Sequence, residues 1–328
     1  MQGKSIDIHA HYYGQNYLEL FNEQSARYGT EFRSGKDSFS IRNPVGNFPS
    51  LPNKFIDPRL RVAEMDEQGI KVQALSLTAP MVYWAEPQFS HQLARAWNDD
   101  AIAAHKAFPD RLVVLATLPM LAPDRAIDEL NRVSQQPGVR GVYMGTNIDS
   151  RDLDDPLFAP IFARIEALDL PVFLHPQQTI GGKRLDSFYL SNFLGNPFDS
   201  AIAACHLIFG GVLDRHPRLQ VNLPHAGGAL PGLIGRIDHG WKVRPETKHL
   251  ANAPSTYLRR FTYDTISHSA PILNFIISMV GADRVMIGSD YCFDMGYERP
   301  LAMLDQLNIS DADRKLIMGE TAARILKI

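Results

Sequence analysis

The first apolar run of the chain, IDIHAH at residues 6–11, ends in two histidines separated by one residue. In a β-strand, residues two apart point to the same side, so His9 and His11 are expected to lie next to each other. Two neutral imidazoles at the end of a strand can bind the same metal ion. The spacing indicates a metal site, and two polar residues in a surface turn are the alternative for an isolated pair.

Polar residues also follow later apolar runs. PVFLHP ends in His175, LQVNLPHAGG leads to His225, FTYDTISH carries Asp264 and His268, and RVMIGSD ends in Asp290. A single histidine in such a place is typical of a hydrogen-bonded structural residue. Several of them at the same end of successive strands favour a shared site. Asp264 is open to two interpretations, because it could orient a ligand histidine or cap a strand end.

The fold class predicted from these runs is α/β, as a single (β/α)8 barrel over residues 1–328. Eight short apolar runs alternate with helical patterns, which is typical of that barrel. A doubly wound open sheet is the alternative, but no GxGxxG follows the first strand. The predicted strands lie within 6–11, 72–77, 111–120, 138–145, 171–176, 218–228, 259–265 and 283–290. The predicted helices lie within 59–69, 91–108, 122–135, 157–169, 200–217, 270–281 and 310–326.

In such a barrel the carboxyl ends of the strands meet at one rim, where the chemistry occurs. His9, His11 and His175 then supply three nitrogen donors, and Asp290 supplies one oxygen. This set suits Zn²⁺ or a similar divalent ion and leaves positions for water or substrate. The segment 12–58 is expected to be a long irregular insertion after the first strand, of the kind that forms lids or binding loops.

Composition excludes several other classes of protein. The net charge of −3 and the absence of a basic run give no reason to expect a nucleic-acid partner. No apolar run reaches the roughly 18 residues that span a membrane, and no basic-then-apolar leader precedes Ile6. Cys205 and Cys292 form neither a CxxC motif nor a disulfide framework. A cytoplasmic location is therefore expected.

Taken together, these residues resemble the amidohydrolase superfamily. Within it the chain is similar to the metal-dependent carboxylate decarboxylases typified by α-amino-β-carboxymuconate-ε-semialdehyde decarboxylase. The similarity runs nearly from end to end. It is carried by IDIHAH, DPRLRVAEMDEQGIKVQALS, YWAEP, FPDRLVVLATLPMLAP, FLHP, HAGGALPGLIGRIDHG and IGSDYCFDMG.

The resemblance implies roles for individual residues. It implies that His225 is the acid/base histidine that activates the metal-bound water and handles the proton, alongside the ligand Asp290. Arg236 matches an arginine that reaches into a neighbouring subunit and holds a substrate carboxylate, which implies a homodimer. Phe293 matches an aromatic residue of the pocket. Two-metal relatives commonly carry a bridging lysine on the fourth strand, and GVRGVYMG has none, so one metal ion, Zn²⁺, is expected.

The substrate pocket departs from that resemblance. Pro49 stands where the semialdehyde decarboxylase has a substrate-binding arginine, and Lys54 is the only cation nearby in sequence. Asn192 stands where that enzyme has a pocket tryptophan. Trp84, together with Tyr83 in YWAEP, is a candidate wall of the pocket, with aromatic core as the alternative. A different substrate or a sister reaction is therefore expected.

The predicted function is non-oxidative decarboxylation of a small unsaturated or aromatic carboxylic acid. Arg236, Phe293, Asn192 and Trp84 are the predicted substrate contacts. The main alternative is a hydrolase that cleaves a C–C, amide or lactone bond with the same metal-activated water and His225. A hydratase and a catalytically silent barrel are further alternatives.

Overall fold

The computed structural model describes residues 5–43 and 46–328. Its strands belong to one large sheet and two small ones. In chain order they are β1 (Ile6–His11), β2 (Glu31–Ser34), β3 (Ser38–Asn43), β4 (Gly46–Pro52), β5 (Val72–Ser76), β6 (Leu112–Ala116), β7 (Val139–Gly145), β8 (Asn147–Ile148), β9 (Arg151–Asp152), β10 (Val172–His175), β11 (Val221–Leu223), β12 (Phe261–Asp264) and β13 (Val285–Met286).

The α-helices follow the strands of the large sheet and the insertion. In chain order they are α1 (Gln15–Glu23), α2 (Ser25–Tyr28), α3 (Pro58–Gln68), α4 (Pro87–Ala107), α5 (Pro123–Val133), α6 (Ala159–Ala167), α7 (Asn196–Phe209), α8 (Val212–Arg215), α9 (Leu230–Val243), α10 (Ala270–Val280), α11 (Asp311–Lys315) and α12 (Thr321–Leu326). None of these described helices has both the length and the apolar content needed to cross a bilayer.

The large sheet is an eight-stranded parallel barrel within the described residues. Its strand order is β1-β5-β6-β7-β10-β11-β12-β13. The segment after β13 returns to β1, because Ile8 N donates to Ile287 O at 2.9 Å and Asp290 N donates to His9 O at 2.9 Å. The predicted α/β barrel is therefore confirmed, and the carboxyl ends of its strands meet at one rim.

Local sequence explains where the elements begin and end. The α3 helix begins with Pro58 after Asp57, whose carboxylate accepts from the backbone N–H of Arg59 at 2.8 Å. It ends at Gly69, which adopts the left-handed conformation with φ of 74°. All five residues of β6 are buried, as expected for a barrel strand that is covered by helices.

The expectation of an irregular segment over 12–58 is wrong. This segment forms α1, α2 and an antiparallel sheet in the order β2-β3-β4. Phe39 and Ile41 alternate with polar residues on β3 and are buried. Two of the prolines that suggested a loop, Pro49 and Pro52, lie in β4, an edge strand of this sheet, where a missing N–H is tolerated. Residues 44–45 of the predicted insertion lie outside the described residues.

The predicted eighth strand, 283–290, is longer than the strand observed. Only Val285–Met286 pair as β13, and the segment that follows is hydrogen-bonded to β1 through Ile287 and Asp290. A Cβ atom on Gly288 would lie 2.8 Å from the Cβ of Asp264 and 3.1 Å from that of His9. Glycine therefore allows this backbone to pass close to the centre of the barrel mouth.

Candidate active site

Four of the predicted residues lie together at the rim of the barrel. His9 and His11 end β1 with ring centroids 5.0 Å apart, and the ring of His175, at the end of β10, lies 5.3 Å and 4.9 Å from them. Asp290 follows β13. One ligand atom from each of the four lies within 4.8 Å of the others, and all four residues are buried.

Hydrogen bonds fix which nitrogen His9 and His175 present to the centre. Nδ1 of His9 lies 2.7 Å from Asp264 Oδ2, and Nδ1 of His175 lies 3.1 Å from the carbonyl oxygen of Pro176. In both rings, Nε2 is therefore the nitrogen that remains to bind a metal ion. Nε2 of His9 is buried and has no hydrogen-bond partner among the described residues. Such an atom, beside a second imidazole and a carboxylate, fits a divalent metal ion.

The electrostatic environment keeps this set ready to bind a cation. Burial lowers the pKa of His11 to about 4 and that of His175 well below its usual range, so both rings are neutral. Burial alone would raise the pKa of Asp290. The hydrogen bond from His11 and the nearby charge of His9 outweigh burial, so that this pKa lies below its ordinary value. Asp290 is therefore an ionised carboxylate beside the neutral imidazoles of His11 and His175. At His9 the surrounding carboxylates together outweigh burial and raise the pKa.

Asp264 contacts this set of residues through its hydrogen bond with His9. Besides His9, its carboxylate accepts from the backbone N–H groups of His225 at 3.0 Å and Ala226 at 2.8 Å. Burial alone would raise the pKa of Asp264, but the hydrogen bond from His9, the charges of His9 and His225 and the backbone N–H of Ala226 together lower it. Both interpretations left open by the sequence apply, because Asp264 orients a histidine and also caps the chain after the neighbouring strand.

His225 lies beside the four residues on the loop after β11. Its ring centroid is 5.3 Å from that of His9 and 5.7 Å from that of His175. Its backbone adopts the left-handed conformation with φ of 52°, held by the hydrogen bond to Asp264. Burial lowers the pKa of His225, so that the ring is a neutral base at neutral pH.

A cavity of about 260 Å³ opens next to His225 and Asp290. Asn192 lies in its wall, as does His268. The described lining contains neither lysine nor arginine. It consists of Asn192, Phe193, Asn196, Pro197, His225, Ala226, Gly228, Ile266, Ser267, His268, Ile272, Ile276, Asp290 and Met295.

A wider groove, of about 950 Å³, is lined in part by the loop after β13. Phe293 lies in it, with its ring centroid 5.3 Å from that of His11 and 5.0 Å from that of Phe55. Pro49 also lines this groove. Lys54 does so too, but its ammonium group is paired with Glu64 at 2.8 Å.

Two predicted substrate contacts lie elsewhere in the chain. Trp84 packs against Phe21 and Tyr28, with ring centroids 5.4 Å and 5.6 Å away, and its indole donates to the carbonyl of Met81 at 3.1 Å. It lines neither the cavity nor the groove, so its contacts are those of the aromatic core. Arg236 is exposed on α9 and also lines neither space.

Sequence reasoning missed Asp7. Its buried carboxylate accepts from the backbone N–H of His9 at 3.1 Å and from Ser289 Oγ at 2.6 Å, which ties β1 to the loop that carries Asp290. A signal was present, because Asp7 shares its face of the strand with His9 and His11. A charged residue in an otherwise apolar strand indicates a partner inside the barrel.

Comparison with known proteins identifies the family. A family model described as "Amidohydrolase" matches residues 6–328. The chain belongs to the amidohydrolase family. This amidohydrolase is 32% identical over 331 residues to the 2-amino-3-carboxymuconate-6-semialdehyde decarboxylase of Dictyostelium discoideum, covering 98% of this chain and 91% of that protein.

Solved structures of other amidohydrolases share its architecture. The 5-carboxyvanillate decarboxylase of Sphingomonas paucimobilis has a TM-score of 0.82 at 25% identity, covering 99% of both chains. The dihydroxybenzoic acid decarboxylase of Polaromonas sp. JS666 has a TM-score of 0.83 at 25% identity, covering 99% of this chain and 97% of that one, and contains bound manganese. The predictions of family, barrel fold and metal-dependent decarboxylase class are confirmed. The buried His/Asp site is a site for a divalent metal ion.

Proposed function

We propose that this amidohydrolase catalyses the non-oxidative decarboxylation of a small unsaturated or aromatic carboxylic acid. The observation that carries the proposal is the position of His225. It is a neutral base beside a buried set of metal-binding atoms, and it opens onto a cavity of about 260 Å³. A volume of that size accommodates a single ring or a short unsaturated chain. The relatives include decarboxylases of a semialdehyde acid and of hydroxylated benzoic acids.

In this proposal one divalent ion is held by His9, His11, His175 and Asp290. Three imidazole nitrogens and one carboxylate oxygen suit Zn²⁺, which we propose as the resident ion, and they also suit Mn²⁺. When bound, the ion supplies Lewis acidity that polarises an oxygen of the substrate. Asp264 holds the imidazole of His9 in the tautomer that leaves Nε2 available.

His225 handles the proton in the proposed reaction. The imidazole takes a proton from a substrate hydroxyl group, which regains one from solvent, or from a water whose hydroxide is released again, and it donates that proton to the carbon that loses its carboxylate. The C–C bond breaks as CO₂ leaves, its electron pair stays on that carbon, and the new C–H bond uses it. One proton is consumed, and no oxidant or reductant is required.

We propose that Asn192 and Phe293 contact the substrate from the cavity and the groove. Arg236 is exposed on α9, so in our proposal it acts from a second copy of the chain, where its fork of N–H donors holds a carboxylate. The functional unit is then a homodimer. Trp84 is left out of the proposed contacts because it packs within the aromatic core. The proposed setting is cytoplasmic, where the free thiols of Cys205 and Cys292 stay reduced.

The test combines metal analysis of the purified protein with a headspace CO₂ assay on semialdehyde, muconate and hydroxybenzoate acids. The expected result is about one metal ion per chain and CO₂ release that chelation abolishes. A parallel assay on amides, lactones and C–C ring-cleavage products tests the hydrolase alternative. One metal ion with hydrolysis and no CO₂ from any acid would overturn the proposal.

A further inference from the structure

The cavity beside His225 contains one more histidine that the proposed mechanism does not use. Among the described residues of its wall, the titratable side chains are His225, Asp290 and His268. His268 is exposed toward solvent, on the loop between β12 and α10. Its ring nitrogens have no hydrogen-bond partner in the described part of the chain, so they are available to a ligand in the cavity.

The loop holds this imidazole in a defined place. The backbone N–H of His268 donates to the hydroxyl oxygen of Tyr297 at 2.7 Å, and the two rings lie 4.6 Å apart between centroids. Next to it, Ser267 Oγ donates to the carbonyl of Ser269 at 3.0 Å. His268 itself has φ of 52°, a left-handed conformation that a residue with a side chain rarely adopts. Such conformations are concentrated at binding and catalytic sites.

The chemistry of the cavity wall limits what His268 can recognise. The described lining offers amides, a hydroxyl, imidazoles and the carboxylate of Asp290, but neither lysine nor arginine. Lys54 lies in the separate groove and is paired with Glu64. This wall therefore suits a neutral hydroxyl or carbonyl group, and an imidazole can either donate to such a group or accept from it.

We propose that His268 is a specificity-determining residue, which hydrogen-bonds a hydroxyl or carbonyl group of the substrate and so orients the carbon that His225 protonates. The inference rests on the proposed function, since it assigns a substrate contact within the same cavity. It defines the substrate class further, as an acid that carries a second, uncharged polar group.

The test compares two probes that differ by one hydroxyl group, 2-nitroresorcinol and 2-nitrophenol, in binding to the Mn²⁺-loaded protein by titration calorimetry. In the His268→Asn variant, asparagine tolerates the left-handed backbone but has a shorter side chain. We expect it to bind 2-nitroresorcinol about tenfold more weakly and 2-nitrophenol less than twofold more weakly, as one lost hydrogen bond predicts. Glutamine has a longer side chain than asparagine, so we expect the His268→Gln variant to regain most of the lost affinity for 2-nitroresorcinol.

Kinetics provide a second measurement on the acid that releases CO₂. We expect His268→Asn to raise KM about tenfold with kcat changed less than threefold, because the contact serves binding more than bond cleavage. Tyr297→Phe removes the acceptor of the His268 backbone N–H and shifts KM in the same direction by about threefold. Thermal denaturation of each variant checks that the fold is retained.

The outcomes separate this inference from the function on which it rests. Suppose that the wild type releases CO₂, and that His268→Asn lowers the affinity for both probes equally or for neither of them. The role of His268 is then overturned, and the decarboxylase proposal stands. If the wild type binds neither probe and releases no CO₂ from any acid, both proposals are overturned together.

Discussion

Nδ1 of His9 lies 2.7 Å from Oδ2 of Asp264, and both side chains are buried in the mouth of the barrel. The two residues are 255 positions apart in sequence. The same carboxylate holds the backbone of His225, so one side chain positions both a proposed metal ligand and the proposed proton carrier. A small change at Asp264 is therefore expected to affect metal binding and catalysis together.

The first prediction concerns Asp264→Asn. Four N–H groups donate to the carboxylate, two to each oxygen: Nδ1–H of His9 and the backbone N–H groups of His225, Ala226 and Ile266. The amide retains one oxygen, so two of the four lose their acceptor. We expect metal affinity to fall about 10–100-fold and the free energy of unfolding to fall by about 1–3 kcal/mol. Competition with a chelator and urea denaturation measure the two effects. Asp128→Asn makes the same change at an exposed carboxylate on α5, and equal results for both variants would contradict the prediction.

The second prediction concerns removal of the metal ion. Because the ion binds the folded chain through residues from β1, β10 and the loop after β13, it stabilises that fold by mass action. At a free metal concentration 100-fold above Kd, we expect the free energy of unfolding to be about 2.7 kcal/mol higher than in chelator. Thermal denaturation with added Zn²⁺ or Mn²⁺ measures the gain. We expect the His175→Asn variant to gain little stability from either ion. If neither ion stabilised the wild type, the assigned metal site would be wrong.

Sequence patterns were sufficient for the residues that follow strand periodicity. The placing of His9 and His11 on one side of β1 follows from the two-residue repeat, and Asp7 could have been added by the same rule. The alternation of apolar runs and helical patterns was likewise enough to predict the barrel, because the residues of the barrel strands, apart from Arg140, are buried. These features depend on neighbours in sequence.

The features that sequence did not predict depend on tertiary contacts. The prolines of β4 are compatible with a strand only because β4 is at the edge of its sheet, which local composition does not reveal. Trp84 follows a predicted strand in the sequence, yet its ring packs against Phe21 and Tyr28 of the insertion in an aromatic cluster. The hydrogen bonds of Asp264 link segments that only the closed barrel brings together.

The third prediction concerns the pH dependence of catalysis. Burial lowers the pKa of His225 below the ordinary value of about 6.5, and the charge of a bound cation acts in the same direction. Since the neutral ring is the active form, activity is lost as pH falls through this lowered pKa. The acid limb of kcat/KM should therefore lie below pH 6.5. A limb centred above pH 7 would contradict the assignment of His225 as the base.

The fourth prediction tests the same residue by substitution. We expect His225→Asn to lower kcat about 10²–10⁴-fold, the usual contribution of a positioned acid/base, with unchanged metal content. The acid limb assigned to His225 should also disappear from the remaining activity. His239→Asn changes an exposed histidine on α9 and should leave both kcat and the profile as in the wild type. Loss of metal from His225→Asn would instead make His225 a ligand.

The fifth prediction concerns Arg61, a fully buried arginine on α3. Its guanidinium donates to Gln73 Oε1 at 2.7 Å and to the carbonyl of His11, and Gln73 in turn donates to Asp7 Oδ2 at 2.8 Å. The chain of hydrogen bonds fixes both ends of β1 behind the metal-binding side chains. Arg61→Met fills similar space but leaves the buried acceptors without donors. We expect it to lower the free energy of unfolding by about 3 kcal/mol and to weaken metal binding.

Two further variants distinguish the paired hydrogen bonds of the Arg61 guanidinium from the effect of its charge and from the effect of any substitution on α3. Arg61→Lys keeps the charge but cannot reach Gln73 and His11 together, so most of the loss should remain. Arg59→Met alters an exposed side chain of the same helix and should change stability by less than about 0.5 kcal/mol. Urea denaturation and chelator competition measure all three variants. If Arg61→Met were as stable as the wild type, the hydrogen bonds of Arg61 would not stabilise β1, and the prediction would be wrong. If it were less stable but bound metal normally, Arg61 would support the fold without positioning His11.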